Sequence, residues 1–229
     1  MAVGLLGRLA PAKPTHWQMF TADRVNVGLA FGTVAIATAV VAGQYSRLLG
    51  RRSHERGEAE PLIDSAPAAA ADAVGVAVEG YIATPRRETL LFNLLSGFLG
   101  AFAVVRLSTW AIREGQGPFR NVKVGDRHIH HFVPGILIAF GSGLAALLTQ
   151  GETSEDRIAV AMGIGIGLTF DEAALLLDMR DVYWSPEGLL SVQVSLATAA
   201  TLGATVLTFR LLGRGERHQE EAGEIPPAG

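Results

Sequence analysis

Three stretches of the chain run for twenty or more residues without a charge: 25–46 (22 residues), 132–151 (20) and 188–209 (22). A helix needs roughly 20 apolar residues to cross a bilayer core, so each window predicts a spanning helix. A fourth stretch, 89–112, is uncharged apart from Arg106. A fifth is shorter: 158–170 is uncharged, then Asp171 and Glu172 interrupt it before a final AALLL. That window is ambiguous alone. Its neighbours favour a span, because otherwise little polar chain separates the helices on either side. The expected spans are 25–45, 89–112, 132–149, 158–177 and 189–212.

Between the first two spans the sequence changes character. It opens RRSHERGEAEP, passes through the low-complexity APAAAADAVGVAVEG and closes TPRR. This predicts a mobile loop with a short surface helix near 68–83. Asp72 and Glu79 argue against a sixth span. The tail GRGERHQEEAGEIPPAG is polar and predicts disorder. The expected fold is an all-α polytopic transmembrane helical bundle of about five spans. Its parts are an N-terminal segment 1–24, a first transmembrane helix 25–46, a mobile polar, Ala-rich loop 47–88, a four-helix core 89–212 and a disordered tail 213–229.

Glycines punctuate the spans, and Gly28/Gly32 and Gly163/Gly167 have the GxxxG spacing that lets membrane helices approach closely. Glycine is also common in membrane helices generally. The spacing therefore implies only a compact bundle.

Composition narrows the class further. Hydrophobic residues make up 49% and charged residues 18%, against about 25% charged in globular domains. This excludes a soluble enzyme and a disulfide-stapled secreted domain. Nucleic acid is excluded as a partner, because net charge is −3 and no basic stripe carries interleaved aromatics. With no cysteine, neither a thiolate metal site nor a thiol nucleophile exists. Nearly all the basic residues are Arg, which with the Ala and Gly content points to a GC-rich bacterial genome and a bacterial cytoplasmic membrane. The N-terminus, broken by Pro11 and Pro14, is too polar for a signal-peptide core, so the first span is expected to remain as an anchor. Ten Lys and Arg residues flank the spans on the side of the long loop and C-terminus, against eight on the other, which puts the C-terminus in the cytoplasm.

One constellation stands out for chemistry. Before the third span the chain reads Gly125-Asp-Arg-His128-Ile-His130-His131-Phe-Val-Pro134, holding three of the six histidines. Pro134 suits the first turn of a helix, where a missing N–H costs nothing. The fourth span supplies TFDEAALLLDMRDVYW. There Asp171 and Asp178 lie seven apart, on one helical face and roughly 10 Å along the axis. Glu172 points about 100° away, and Asp181 follows Asp178 by one turn. Carboxylates inside a membrane helix are costly unless paired, protonated or hydrated. The third and fourth spans are consecutive and so antiparallel. His128, His130, His131, Asp171, Glu172, Asp178 and Asp181 therefore converge on one membrane face, with Arg106, Trp110 and Glu187.

Imidazoles beside carboxylates suit zinc, or iron or manganese. On this reading His128, His130 and His131 are ligands, and Asp171, Asp178 or Asp181 ligate, orient a histidine or, for the first two, act as a base. Glu172 carries a proton. The reaction implied is hydrolysis of a lipid-like substrate at the interface. Equally open, H-x-H-H is a solvated loop and Arg106 neutralises Asp171 or Glu172 as a structural pair. Proton- or ion-coupled transport through the acidic pair and an accessory role among membrane-protein partners are further alternatives. Tyr183 and Trp184 read most simply as an interfacial anchor. The FGSG around Ser142 lacks the features of an intramembrane serine protease, and HExxH, separated histidine boxes, a bis-His haem arrangement and a phosphate loop are all missing.

The pattern H-x-H-H…G-x-G-x-G-L-x-x-D-E…D-V-Y-W resembles uncharacterised small polytopic integral membrane proteins of actinobacteria and other prokaryotes. The resemblance covers 128–191 and rests on His128, His130, His131, Gly163, Gly165, Gly167, Asp171, Glu172, Asp181, Tyr183 and Trp184. It implies that the convergent face is the shared feature, and brings no reaction or cofactor with it.

Overall fold

The computed structural model describes residues 16–56, 62–115, 123–124, 127–128, 131–171 and 186–227. The windows 25–46 and 188–209 lie wholly inside helices, and 132–151 is helical up to Leu148. The helices are α1 (His16–Arg56), α2 (Leu62–Ile82), α3 (Arg86–Arg113), α4 (Phe132–Leu148), α5 (Glu152–Asp171) and α6 (Pro186–Ala222). A two-residue antiparallel ladder, β1 (Lys123–Val124) with β2 (Arg127–His128), precedes α4 and sets Lys123 opposite His128. Three helices among the described residues are long and apolar enough to cross a membrane, over Arg24–Glu55, Arg86–Ile112 and Leu196–Ala222. α4 is a shorter apolar helix of 17 residues. α5 begins at Glu152, earlier than expected, and 172–177 of the expected fourth span lie outside the described residues.

α3 is the central helix. It packs on α5 along one side and on α1 and α6 along another, while α4 packs on the far side of α5. The α3–α5 seam is made by glycine. A methyl group added at Gly97 would collide with the Val160 carbonyl, one at Gly163 with the Leu94 carbonyl, and one at Gly167 with that of Phe98, all within 3.0 Å. Gly165 faces the other way, against Gly135 and Ala139 of α4. The run Gly163-x-Gly165-x-Gly167 thus lets α5 sit between two helices at backbone contact. Backbone approach of this kind substitutes for the hydrophobic drive that lipid does not supply. Gly28 and Gly32 have the same spacing, yet an added Cβ there meets nothing within 4 Å.

Two corrections to the sequence expectation come from the segments flanking the apolar zone. The stretch 62–82, expected as mobile loop with a short surface helix, is a continuous 21-residue helix, α2, despite Pro67 within it. Its buried positions are Ser65, Ala69, Val76 and Gly80, a helical stripe written in small residues. Small side chains let α2 lie close on α6: Gly80 abuts the Leu211 carbonyl and Gly215 abuts that of Val76. Low complexity concealed this stripe, because alanine carries a helical period without a large apolar signal.

The tail expected to be disordered is also ordered over its described part. α6 continues to Ala222, and Ile225 is 4% exposed in a cluster with Leu48, Ala69, Val76, Leu211 and Leu212. Its acids have distant partners. Arg51 pairs with Glu220 at 2.6 Å and Glu216 at 3.4 Å, and Gln44 donates to Glu216 at 2.6 Å. Arg52 makes a two-pronged bond to Asp72 (2.7 and 2.9 Å) and reaches the Glu224 carbonyl. The charged halves of α1 and α6 therefore continue past the apolar zone and, with α2, form a helical extension closed by its own core.

Candidate functional site

At the end of the bundle opposite this extension, four helix segments converge on Asp171. It is the last described residue of α5, and its side chain is only 3% exposed. A lone carboxylate buried so deeply carries a large desolvation cost, which must be met by charge and hydrogen bonding. Arg106, buried in α3, meets Asp171 Oδ1 through its Nε and donates from Nη2 to the Asp171 backbone carbonyl at 2.7 Å. His131 places Nε2 2.8 Å from Asp171 Oδ2. Both carboxylate oxygens are thus engaged, by a guanidinium on one side and an imidazole on the other.

Local sequence explains why these groups meet. His131 is the N-cap of α4: its carbonyl accepts the Gly135 N–H at 3.0 Å, and Pro134 occupies the third helical position. That fixes the imidazole at the start of α4, beside the end of antiparallel α5. α3 and α5 run parallel, with Arg86 held by Glu155 and Asp156 near one end and Arg106 by Asp171 near the other. The last carbonyls of a helix lack intrahelical donors and carry partial negative charge. Arg106 caps one, and Gln193 of α6 donates to the carbonyls of Asp171 (3.1 Å) and Phe170 (3.2 Å). Gln193 in turn accepts from Asn26 of α1 at 2.8 Å. Asn26 is 3% exposed, and its Oδ1 has no hydrogen-bond partner among the described residues.

Of the residues singled out by sequence, the structure brings together His131, Asp171 and Arg106. Trp110 lies one turn beyond Arg106 and packs edge-on against Phe31 of α1. His128 lies on β2 with only its backbone described; Glu187 likewise lies on α6. His130, Glu172, Asp178, Asp181, Tyr183 and Trp184 fall outside the described residues. Among the described residues no group of three or more His, Asp or Glu side chains is placed to hold a metal ion. Asn26 and Gln193 carry no charge and so leave no mark on the uncharged windows that predict the spans. Both are amides within those windows, and an amide in an apolar span is itself a signal of interhelical bonding.

Over its described residues the chain is helical apart from the short β1–β2 ladder, with three helices apolar enough to span a membrane and a buried Arg–Asp–His cluster at one end of the bundle. It matches no protein-family model, no curated protein and no solved structure. The resemblance carried by H-x-H-H and D-V-Y-W therefore rests on those residues alone.

Proposed function

We propose that this chain is a multi-pass protein of a bacterial cytoplasmic membrane whose His131–Asp171–Arg106 cluster supports a metal-dependent hydrolytic site for lipid-like substrates. The reading has five spans, with α4 and α5 crossing as a hairpin, and a cytoplasmic C-terminus, so the site lies at the outer face. The observation that carries it is the contact between His131 Nε2 and Asp171 Oδ2. A carboxylate holding one imidazole nitrogen fixes the tautomer and ring orientation, as in the outer shell of histidine-ligated metals. His131 acts through Nδ1 on this reading, with His128 and His130 as companion ligands. Asp171 is then a positioning residue rather than a ligand, because Arg106 occupies its other oxygen. Glu172, Asp178 and Asp181 supply the remaining carboxylates. A divalent zinc, iron or manganese ion would polarise a carbonyl or phosphoryl oxygen of the substrate.

Metal content of the detergent-purified protein, measured by plasma mass spectrometry, tests this. The expected result is near-stoichiometric metal that is lost in the His128/His130/His131→Ala variant. Asp171→Asn is expected to weaken affinity by about 10–100-fold, as for other outer-shell partners. Equal metal content in wild type and the triple variant would end the proposal.

A second reading, proton- or ion-coupled transport, is favoured by the burial of Asp171 within the bundle, since intramembrane carboxylates commonly serve as relays. It predicts pH-dependent flux in proteoliposomes that both Asp171→Asn and Glu172→Gln abolish. Flux retained in either variant counts against it.

A further inference from the structure

At the other end of the α4–α5 hairpin, away from the His131 cluster, a groove of about 400 Å³ runs between the two helices. Leu137, Gly141 and Ala145 of α4 and Ile158 and Ala161 of α5 line it, and Arg157 closes one end. The groove is shallow and open along one side. Residues 137–145 of α4 span about 12 Å at 1.5 Å per residue, enough for a length of extended hydrocarbon. Leu137, Phe140 and Leu144 beside it are 69%, 78% and 59% exposed, so with the α4–α5 hairpin crossing the membrane, as in the five-span reading on which this inference rests, this flank of α4 faces hydrocarbon.

Charge decides the occupant. Arg157 is exposed and has no carboxylate partner among the described residues. Its acidic neighbours in sequence, Glu155 and Asp156, are both turned to Arg86 of α3, at 2.9 and 2.6 Å. Glu152 lies in the exposed first turn of α5. An apolar groove ending at an uncommitted guanidinium matches an amphiphile with a hydrocarbon chain and an anionic head, and guanidinium is the side chain best suited to phosphate.

We infer that the α4–α5 groove is a binding site for an anionic phospholipid, with one acyl chain lying between the helices and the headgroup phosphate on Arg157. The site is separate from the His131 cluster and stands or falls independently of the hydrolase reading.

Full-length protein in detergent, incubated with equimolar phosphatidylglycerol and phosphatidylcholine, is examined by native mass spectrometry for retained lipid. Wild type is expected to retain phosphatidylglycerol over phosphatidylcholine by about fivefold, the factor one basic group contributes at an anionic surface. Arg157→Ala is expected to remove the preference while leaving lipid on the protein. Gly141→Leu is expected to displace both lipids with folding intact, because a Cβ at Gly141 meets nothing within 4 Å. Equal retention of the two lipids by wild type would overturn the inference, as would undiminished phosphatidylglycerol on Gly141→Leu. A dimer that Gly141→Leu converts to monomer, with lipid content unaltered, would assign the groove to a second copy of the chain and overturn it equally. Metal content is expected to be the same in both variants, which separates this test from that of the proposed function.

Discussion

Replacing Arg106 with Leu is expected to cost about 3–5 kcal/mol of stability, the range for removing one partner of a buried ion pair. The loss arises from what remains. Asp171 would keep its place in the bundle, with a 3% exposed side chain, while losing the guanidinium on Oδ1 and the donor to its own carbonyl. His131 can answer only one carboxylate oxygen. Arg106→Lys is expected to fall between, because an ammonium keeps the charge and loses the fork that reaches both carboxylate and carbonyl. The double variant Arg106→Leu/Asp171→Leu is expected to recover most of the loss, since replacing both members of a buried pair with apolar groups is often neutral. Unfolding of wild type, Arg106→Leu, Asp171→Leu and the double variant in one detergent gives the cycle. A single variant as stable as wild type would show that the pair does not hold the ends of α3 and α5 together.

A methyl group at Gly163 should be the second most damaging change. Its Cβ would overlap the Leu94 carbonyl and lie 2.9 Å from the Phe98 nitrogen, so α3 and α5 would have to separate. Backbone atoms cannot turn aside as a flexible side chain can. Gly163→Ala is expected to cost about 1–3 kcal/mol, as overpacking commonly does, and Gly163→Val more. Gly28→Ala supplies the contrast. Nothing lies within 4 Å of its Cβ, and alanine favours the helix over glycine by about 1 kcal/mol, so that variant should be neutral or stabilised. Equal thermal unfolding of Gly163→Ala and Gly28→Ala would remove the proposed seam.

These two expectations mark how far the sequence could be read. Gly28/Gly32 and Gly163/Gly167 have identical spacing, and only the second pair sits in a helix interface. Spacing records which residues share a face and not what that face meets. Arg106, His131 and Asp171 were legible as neighbours because consecutive spans must alternate direction, which brings the start of α4 to the end of α5. Whether Arg106 would take Asp171 or Glu172 was not legible, because that depends on the rotation of α5 against α3. Asn26 and Gln193 complete the network through amides, whose role depends on partners far away in the chain.

The sequence by itself determined that the chain is helical, that long uncharged windows form its apolar helices, and that His131, Asp171 and Arg106 come together at one end. Those properties follow from composition, period and alternation of direction, all local or nearly so. Only the tertiary structure decided that 62–82 is a packed helix and that the acidic tail is ordered over its described part. α2 buries a stripe of small residues that has little hydrophobic signal until Leu211 and Gly215 lie against it. The tail's charges become structural only when Arg51, more than 150 residues away, supplies the counterion of Glu216 and Glu220, while Arg52 donates to the Glu224 backbone carbonyl. Such pairings are set by where the chain returns in space, which no local pattern records.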